Sequence, residues 1–406
     1  MIIASVKNDF GNSTNKMYFN GKKFVQPSTI KRLTEQPAIS EGSIEKHMAN
    51  LFDELTVNIT SSALKRSGFF TVGTRANLNT DKTENMNIKL GEKHKHDIPV
   101  IMNLSMSAAA GILEYYEEHR ELPVTLSLSE KLTGAIPASE WSPANAMTME
   151  KRFTGDADAP GSHVVIVYIG SLLVTVTIQY VGVKITQEGV PAIYALRETP
   201  VPKDHKKPGI LDKLIKLYKG KEGKKHLAVL TQNEIASKRG LVIDIGSGTT
   251  ELIHLHGANP IVDNCTGVQR GVGHAAEEAA KALSNELGGH LKINRQRFDS
   301  ILLNNSDNLH DNATNFMGEA KYREAQRILE DVKERYTIIG GDADFFMVIG
   351  GGSISFEEDL YEDLVEFADA VHCFVLWIPA EYAVDMNLNG LDVLHEKVFF
   401  PEGVRS

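Results

Sequence analysis

Two short turns constrain this chain more than any other feature. The first is Asp9-Phe10-Gly11-Asn12-Ser13-Thr14-Asn15-Lys16, after the apolar start Met1-Ile2-Ile3-Ala4-Ser5-Val6. The second is Asp244-Ile245-Gly246-Ser247-Gly248-Thr249-Thr250-Glu251, after Leu241-Val242-Ile243. Each reads strand, Asp-x-Gly, small hydroxyl residues, strand. Glycine in such a turn lets backbone N–H groups come close to an anion. One copy alone reads equally well as an Asx-turn in an ordinary hairpin. Two copies could grip a polyphosphate from both sides. Asp9 and Asp244 could each hold Mg²⁺ through its waters, since that ion prefers a carboxylate and retained water. A third element is Phe345-Phe346-Met347-Val348-Ile349-Gly350-Gly351-Gly352-Ser353, an apolar strand running into three glycines. It suits close approach to a nucleotide base or ribose; the plainer alternative is a mobile turn.

In order and spacing these elements resemble the phosphate-1, phosphate-2 and adenosine loops of the actin-like ATPase superfamily. The finer resemblance is to plasmid-segregation actins of the ParM (StbA) type. Val183-Lys184-Ile185-Thr186-Gln187-Glu188-Gly189-Val190-Pro191-Ala192-Ile193-Tyr194 is similar to the ParM segment that links the domains and carries its catalytic Glu. Val348-Ile349-Gly350-Gly351-Gly352 and Asn387-Leu388-Asn389-Gly390-Leu391 also match. The matched pieces cover roughly 1–25, 69–73, 180–199, 240–285 and 345–392, so the chain reads as a divergent member. The resemblance implies an α/β two-domain fold of the actin, chaperone-ATPase and sugar-kinase type. Each domain would be a mixed five-stranded-type sheet flanked by helices, with ATP or ADP and Mg²⁺ in the cleft between. The boundaries it implies are 1–186 for domain I, with a peripheral subdomain at about 29–68, and 187–406 for domain II. Domain II would carry a basic insertion at about 200–240, and C-terminal helices would pack back towards domain I.

The same resemblance assigns roles. Gly11, Asn12, Ser13 and Thr14 with Gly246, Ser247, Gly248 and Thr249 would hold phosphates, and Lys16 would reach a phosphate oxygen. Gly350, Gly351, Gly352 and Ser353 would meet the adenosine. Glu188 would orient or deprotonate the attacking water, and Gln187 beside it could orient water without taking the proton. The ordinary readings are an exposed strand lysine for Lys16 and a helix-start carboxylate for Glu188.

At 406 residues the chain is long enough for two domains, and 42% hydrophobic with 24% charged residues is a soluble globular composition. No run approaches 18 uninterrupted apolar residues, so no membrane partner is expected. Two cysteines, Cys265 and Cys373, make no disulfide framework, which fits a cytoplasmic location. The net charge of −10 argues against direct, general DNA binding. Charge is uneven, however. Residues 200–240 hold eleven Lys/Arg against four Asp/Glu, an excess of seven positive charges that leaves −17 on the rest. This is either a solvated helix face or a docking surface for an acidic partner such as the next subunit of a polymer.

Along the chain, Asn20-Gly21 signals a hairpin. Residues 74–97 and 303–315 read as polar loops, Ile98–Arg120 as a helix, and His163–Ile169 and Leu172–Ile185 as β-branched strands. Within the basic segment, Ile210–Tyr218 has amphipathic spacing. The leading expectation is a filament-forming ATPase that segregates plasmid or similar DNA through a DNA-binding adaptor. A small-molecule kinase of the same fold and a cell-shape or division actin stay open as alternatives, because fold does not fix function. A chaperone ATPase would need a further β-rich domain. ATP versus GTP preference, the adaptor and the filament geometry have no motif.

Overall fold

A computed structural model describes residues 1–37, 42–78, 83–85, 92–197, 210–211, 235 and 237–401. All but the first two residues of the expected helix Ile210–Tyr218, and nearly all of the basic segment 200–240, lie outside these residues. Of the described residues, 1–191 and 388–401 form one compact unit, and those from 192 to 387 form a second. The first unit therefore runs past 186 to Pro191 and takes in the chain from Leu388 onward.

In the first unit, β1 (Ile2–Phe10) pairs antiparallel with β2 (Thr14–Phe19), which pairs with β3 (Lys22–Pro27). The β2–β3 turn places Asn20 at φ 48 and Gly21 at φ 82. Two left-handed residues in a two-residue loop match the twist of the strands they join, as Asn-Gly signals. On its other side β1 runs parallel to β8 (Thr125–Ile136), and β8 runs parallel to β12 (Leu172–Gln187). The sheet continues through β11 (His163–Ile169), β5 (Thr56–Ser61), β6 (Gly68–Val72), β4 (Thr29–Leu33) and β7 (Glu84–Asn85), ten strands in all. A separate small hairpin joins β9 (Gly155–Asp156) and β10 (Ala159–Pro160). Within the range expected as a peripheral subdomain, β4, β5 and the start of β6 are strands of this sheet. Ile30, Leu55, Val57 and Ile59 share one core with Val6 and Leu132.

β12 shows how the pattern is kept. Val174, Val176, Ile178 and Tyr180 are buried, and the residues between them face outward. A bulge between Tyr180 and Gly182 inserts one residue, after which Val183, Ile185 and Gln187 are buried instead. A one-residue shift exchanges the two faces of a strand. Without it Lys184 would point into the core.

The helix Asp97–His119 lies on one face of this sheet, with every residue from Ile98 to Ile112 buried. It is long and apolar enough to cross a membrane, with mean hydropathy 1.3 over its most apolar stretch, but 83% of that stretch is buried inside the protein. On the opposite face the helix Met386–Leu394 and the turn after it bring Asp392 and Glu396 to Lys7, at 3.0 and 2.8 Å. His395 bridges Ser5 and Thr133.

The second unit is built on β13 (Arg239–Ile245). It pairs antiparallel with β14 (Thr250–His256) and parallel with β17 (Phe345–Ile349), which pairs with β18 (Phe374–Trp377). β15 (Asn259–Pro260) and β16 (Thr266–Val268) add to β14, giving a mixed sheet of six strands. All five residues of β17 are buried, as a parallel central strand covered on both faces requires. Helices His310–Ile338 and Gly351–Ala370 supply Leu329, Val332, Leu360 and Leu364 to its core. A second cluster joins the Ala-rich helix Val272–Glu286 to Arg295–Leu303 through Ala276, Ala280, Phe298 and Ile301.

Two loop expectations are corrected. The Asn- and Asp-rich stretch 303–315 already enters a helix at His310, because Asp311 sits favourably in its first turn. Residues 74–97 are not all exposed: a helical turn at Lys93–Lys95 buries Lys93 and His94.

Candidate functional site

The first turn closes between Asp9, which pairs with Lys16, and Phe10, which pairs with Asn15. A Cβ on Gly11 would lie 2.3 Å from the Thr14 carbonyl oxygen, so only glycine fits there. Ser28 takes up the carbonyl side of the turn: its hydroxyl donates to Gly11 O and its N–H to Ser13 O. The Lys16 ammonium lies 3.3 Å from the Asp9 carboxylate. Lys16 is therefore neither an exposed strand lysine nor directed away from the turn.

Gln187 ends β12 and Glu188 follows it. The two are not interchangeable. Gln187 is 1% exposed, and neither its amide nitrogen nor its amide oxygen meets a partner among the described residues. Glu188 Oε1 accepts from the Lys93 ammonium at 2.6 Å. The same ammonium donates to Phe10 O at 2.8 Å. Burial pushes the Lys93 ammonium down, and the Glu188 carboxylate, helped by Asp9 and Glu140, more than reverses this, so it stays charged. The helix begins at Val190, after Gly189 at φ 79, so Glu188 stands just ahead of it with its carboxylate on Lys93.

The second turn is held in the same manner. Gly246 N–H donates to Thr249 O. The carbonyl of Ser247 accepts from Gly273 N–H at 2.7 Å, and that of Gly248 lies 2.9 Å from His274 Nε2. In both turns protein donors occupy carbonyls, while the N–H groups of Asn12, Ser13, Ser247 and Gly248 donate to no acceptor among the described residues. Such amide edges are what a phosphate needs. Asp244, 8% exposed, accepts from the Asn387 side-chain amide at 2.7 Å.

The three glycines after β17 differ in their reasons. Gly350 has φ 89, and a Cβ there would lie 2.4 Å from Ile245 O and 2.5 Å from the Asp244 carboxylate. A Cβ on Gly352 would press on Gly246 O and Ile245 at 2.6–2.8 Å. Around Gly351 there is open space. The Ser353 hydroxyl turns back to donate to Gly350 O at 2.8 Å and is buried. The loop thus packs on the second turn, with Gly351 facing out.

Beyond the turn, a groove of about 270 Å³ runs between helix Val272–Glu286 and the start of Arg295–Leu303, lined by Glu277, Lys281, Ser284, Lys292, Asn294 and Arg295. The Arg295 guanidinium donates to Ser247 Oγ at 2.8 Å, which joins groove and turn. The first unit therefore assembles Asp9, Gly11–Thr14, Lys16, Gln187 and Glu188, and the second assembles Asp244, Gly246–Thr249 and Gly350–Ser353. Lys93, Arg295 and His274 carry no sequence signal of their own; only the fold brings them to the turns.

Residues 242–362 match the family model of the archaeal actin homologue MreB-like proteins, C-terminal part. No curated protein sequence matches the chain. Among solved structures, the actin-like protein Alp7A superposes with TM-score 0.65 at 18% identity, covering 97% of this chain and 96% of that one. ParM of Bacillus thuringiensis, solved with ATP, gives 0.59 at 14% identity over 97% and 98%. The archaeal actin homolog Ta0583 gives 0.60 at 16% identity over 96% and 98%. The chain has the actin-like two-domain α/β fold, with mixed sheets flanked by helices.

Proposed function

We propose that this protein binds and hydrolyses ATP, assembles with copies of itself into filaments, and moves plasmid or similar DNA through a DNA-binding adaptor within the cytoplasm. The observation that carries the ATP reading is the pair of acidic glycine turns with unengaged amide edges, one beside Lys16 and Glu188, the other beside Gly350–Gly352. The groove at Lys281 and Arg295 opens beside the second turn and would take a base and ribose. Glu188 orients the attacking water, and a carboxylate there can accept its proton. Asp9, beside Lys16 in the first unit, and Asp244, beside Asn387 in the second, each offer a hard oxygen donor of the kind that suits Mg²⁺ held through its waters. When bound, that ion would neutralise phosphate charge. ParM with ATP and ParM with ADP are both solved structures of a relative in fold, and they support the nucleotide reading. The resemblance of residues 183–194 and 348–352 to plasmid-segregation actins favours filament assembly and DNA segregation over a kinase.

The purified protein pellets with ATP and Mg²⁺ and returns to the supernatant as ADP accumulates. Turnover and pelleting followed in one sample check this. A protein that turns over ATP and stays monomeric in ATP, a non-hydrolysable analogue and ADP is a kinase or other ATPase of this fold instead.

The basic segment 200–240 serves assembly or adaptor docking rather than ATP binding, since it lies outside every nucleotide motif. Attraction between exposed charges is screened over about 10 Å at about 0.1 M salt. Reversing Lys213, Lys216 and Lys219 to Glu raises the critical concentration or weakens adaptor binding, most at low salt, and leaves ATP binding unchanged. An unchanged critical concentration together with unchanged adaptor binding returns the segment to a solvated surface.

A further inference from the structure

We propose that Lys93 is a positioning residue for ATP hydrolysis, which clamps Glu188 to the peptide preceding Gly11 and so fixes the carboxylate relative to the first phosphate turn. This rests on the reading of Glu188 as the group that orients water.

The geometry is specific. The Lys93 side chain is 2% exposed, and its ammonium meets two acceptors, Glu188 Oε1 at 2.6 Å and Phe10 O at 2.8 Å. Those acceptors come from β12's end and from β1's end, 178 residues apart in the chain. The backbone of Lys93 is fixed as well, because its N–H donates to Glu140 Oε2. Arg152 holds the same segment from below by donating to His94 O and His96 O at 3.1 and 2.6 Å.

A buried ammonium is costly, and an apolar side chain would join these segments with less desolvation. What a lysine adds is a hold on one carboxylate oxygen and on the orientation of the Phe10–Gly11 peptide. Both matter for hydrolysis, where placing a group within a fraction of an ångström decides rate. Neither is needed to bind phosphate, for which the amide edge at Asn12 and Ser13 offers donors of its own.

The test compares wild type, Lys93→Met, Glu188→Gln and the double variant by steady-state ATP turnover, with folding followed by circular dichroism. Lys93→Met lowers kcat roughly 10- to 100-fold with KM little changed. In the Glu188→Gln background the same change adds no further loss, because two residues acting as one unit are non-additive. Lys93→Arg, which keeps the charge, recovers part of kcat, and it carries the comparison where Lys93→Met does not fold. Independent losses that multiply, or a change in KM alone, overturn the proposal and leave the role of Glu188 standing. Full turnover in folded Glu188→Gln removes that role, and the proposal with it.

Discussion

Asp244→Ala and Asp9→Ala each abolish ATP turnover while the protein stays folded. Both carboxylates stand at the start of a glycine turn, buried to 8% and 6% exposure. Removing preorganised electrostatic stabilisation of transferring phosphate costs at least about 10²–10³-fold in rate. Asp244→Asn sharpens the experiment. Its amide oxygen can still accept from Asn387, so local structure is kept and only the charge is lost. Phosphate release and a thermal melt on the same samples check the outcome. Normal turnover in either folded variant eliminates the acidic turns as the site.

Glu130→Gln makes the protein more stable at pH 8 and leaves it nearly unchanged near pH 4.5. Glu130 sits fully buried on β8 against the helix Asp97–His119, where Ser107 donates to it at 3.2 Å. Burial pushes its carboxyl up to about 8, although hydrogen bonds from Ser107 and Tyr180 pull the other way. The folded chain therefore keeps this proton up to about pH 8, whereas the unfolded chain releases it above its ordinary value of 4.5. Between those values the unfolded state binds fewer protons, so stability falls as pH rises, and the loss is complete above pH 8. Glutamine carries no such proton. The gain at pH 8 is on the order of 3–5 kcal/mol. Urea unfolding of both proteins at pH 5 and pH 8 reads it. An equal effect at both pH values means that Glu130 is not held protonated.

What the sequence showed and hid follows from range. The glycine turns and the Asn20-Gly21 hairpin were legible because a two- to four-residue backbone shape depends on its own residues. The helix 97–119 was legible from period. The bulge at Tyr180–Gly182 was not: a strand's parity is set by the partner it pairs with, here β8, whose Glu130 and Lys131 face the two sides of the bulge. Lys93 was hidden for a related reason. Its neighbours Glu92, His94, Lys95 and His96 give a polar composition that reads as a loop, and nothing local says that one of these charges turns inward to a carboxylate 95 residues later. The place of β5 and β4 in the main sheet was likewise hidden, because they join it through β11 and β6 rather than through their neighbours in sequence. Gly351 shows the opposite error. A motif counts three glycines alike, while the contacts demand only Gly350 and Gly352.

The pairing of Lys7 sets an order of events during synthesis. Its ammonium lies within β1, yet its counter-charges are Asp392 and Glu396, which a ribosome adds more than 380 residues later. An uncompensated buried charge costs several kcal/mol. The sheet can collect its strands as they emerge, but one face of β1 stays unsatisfied until residues 392–396 are made. The nascent protein thus passes through a long interval as a partly formed domain, exposed to non-productive contacts. A chain stopped at residue 385 would hold that interval open indefinitely. Chains ending at residues 406 and 385 would then differ in protease sensitivity within residues 1–190.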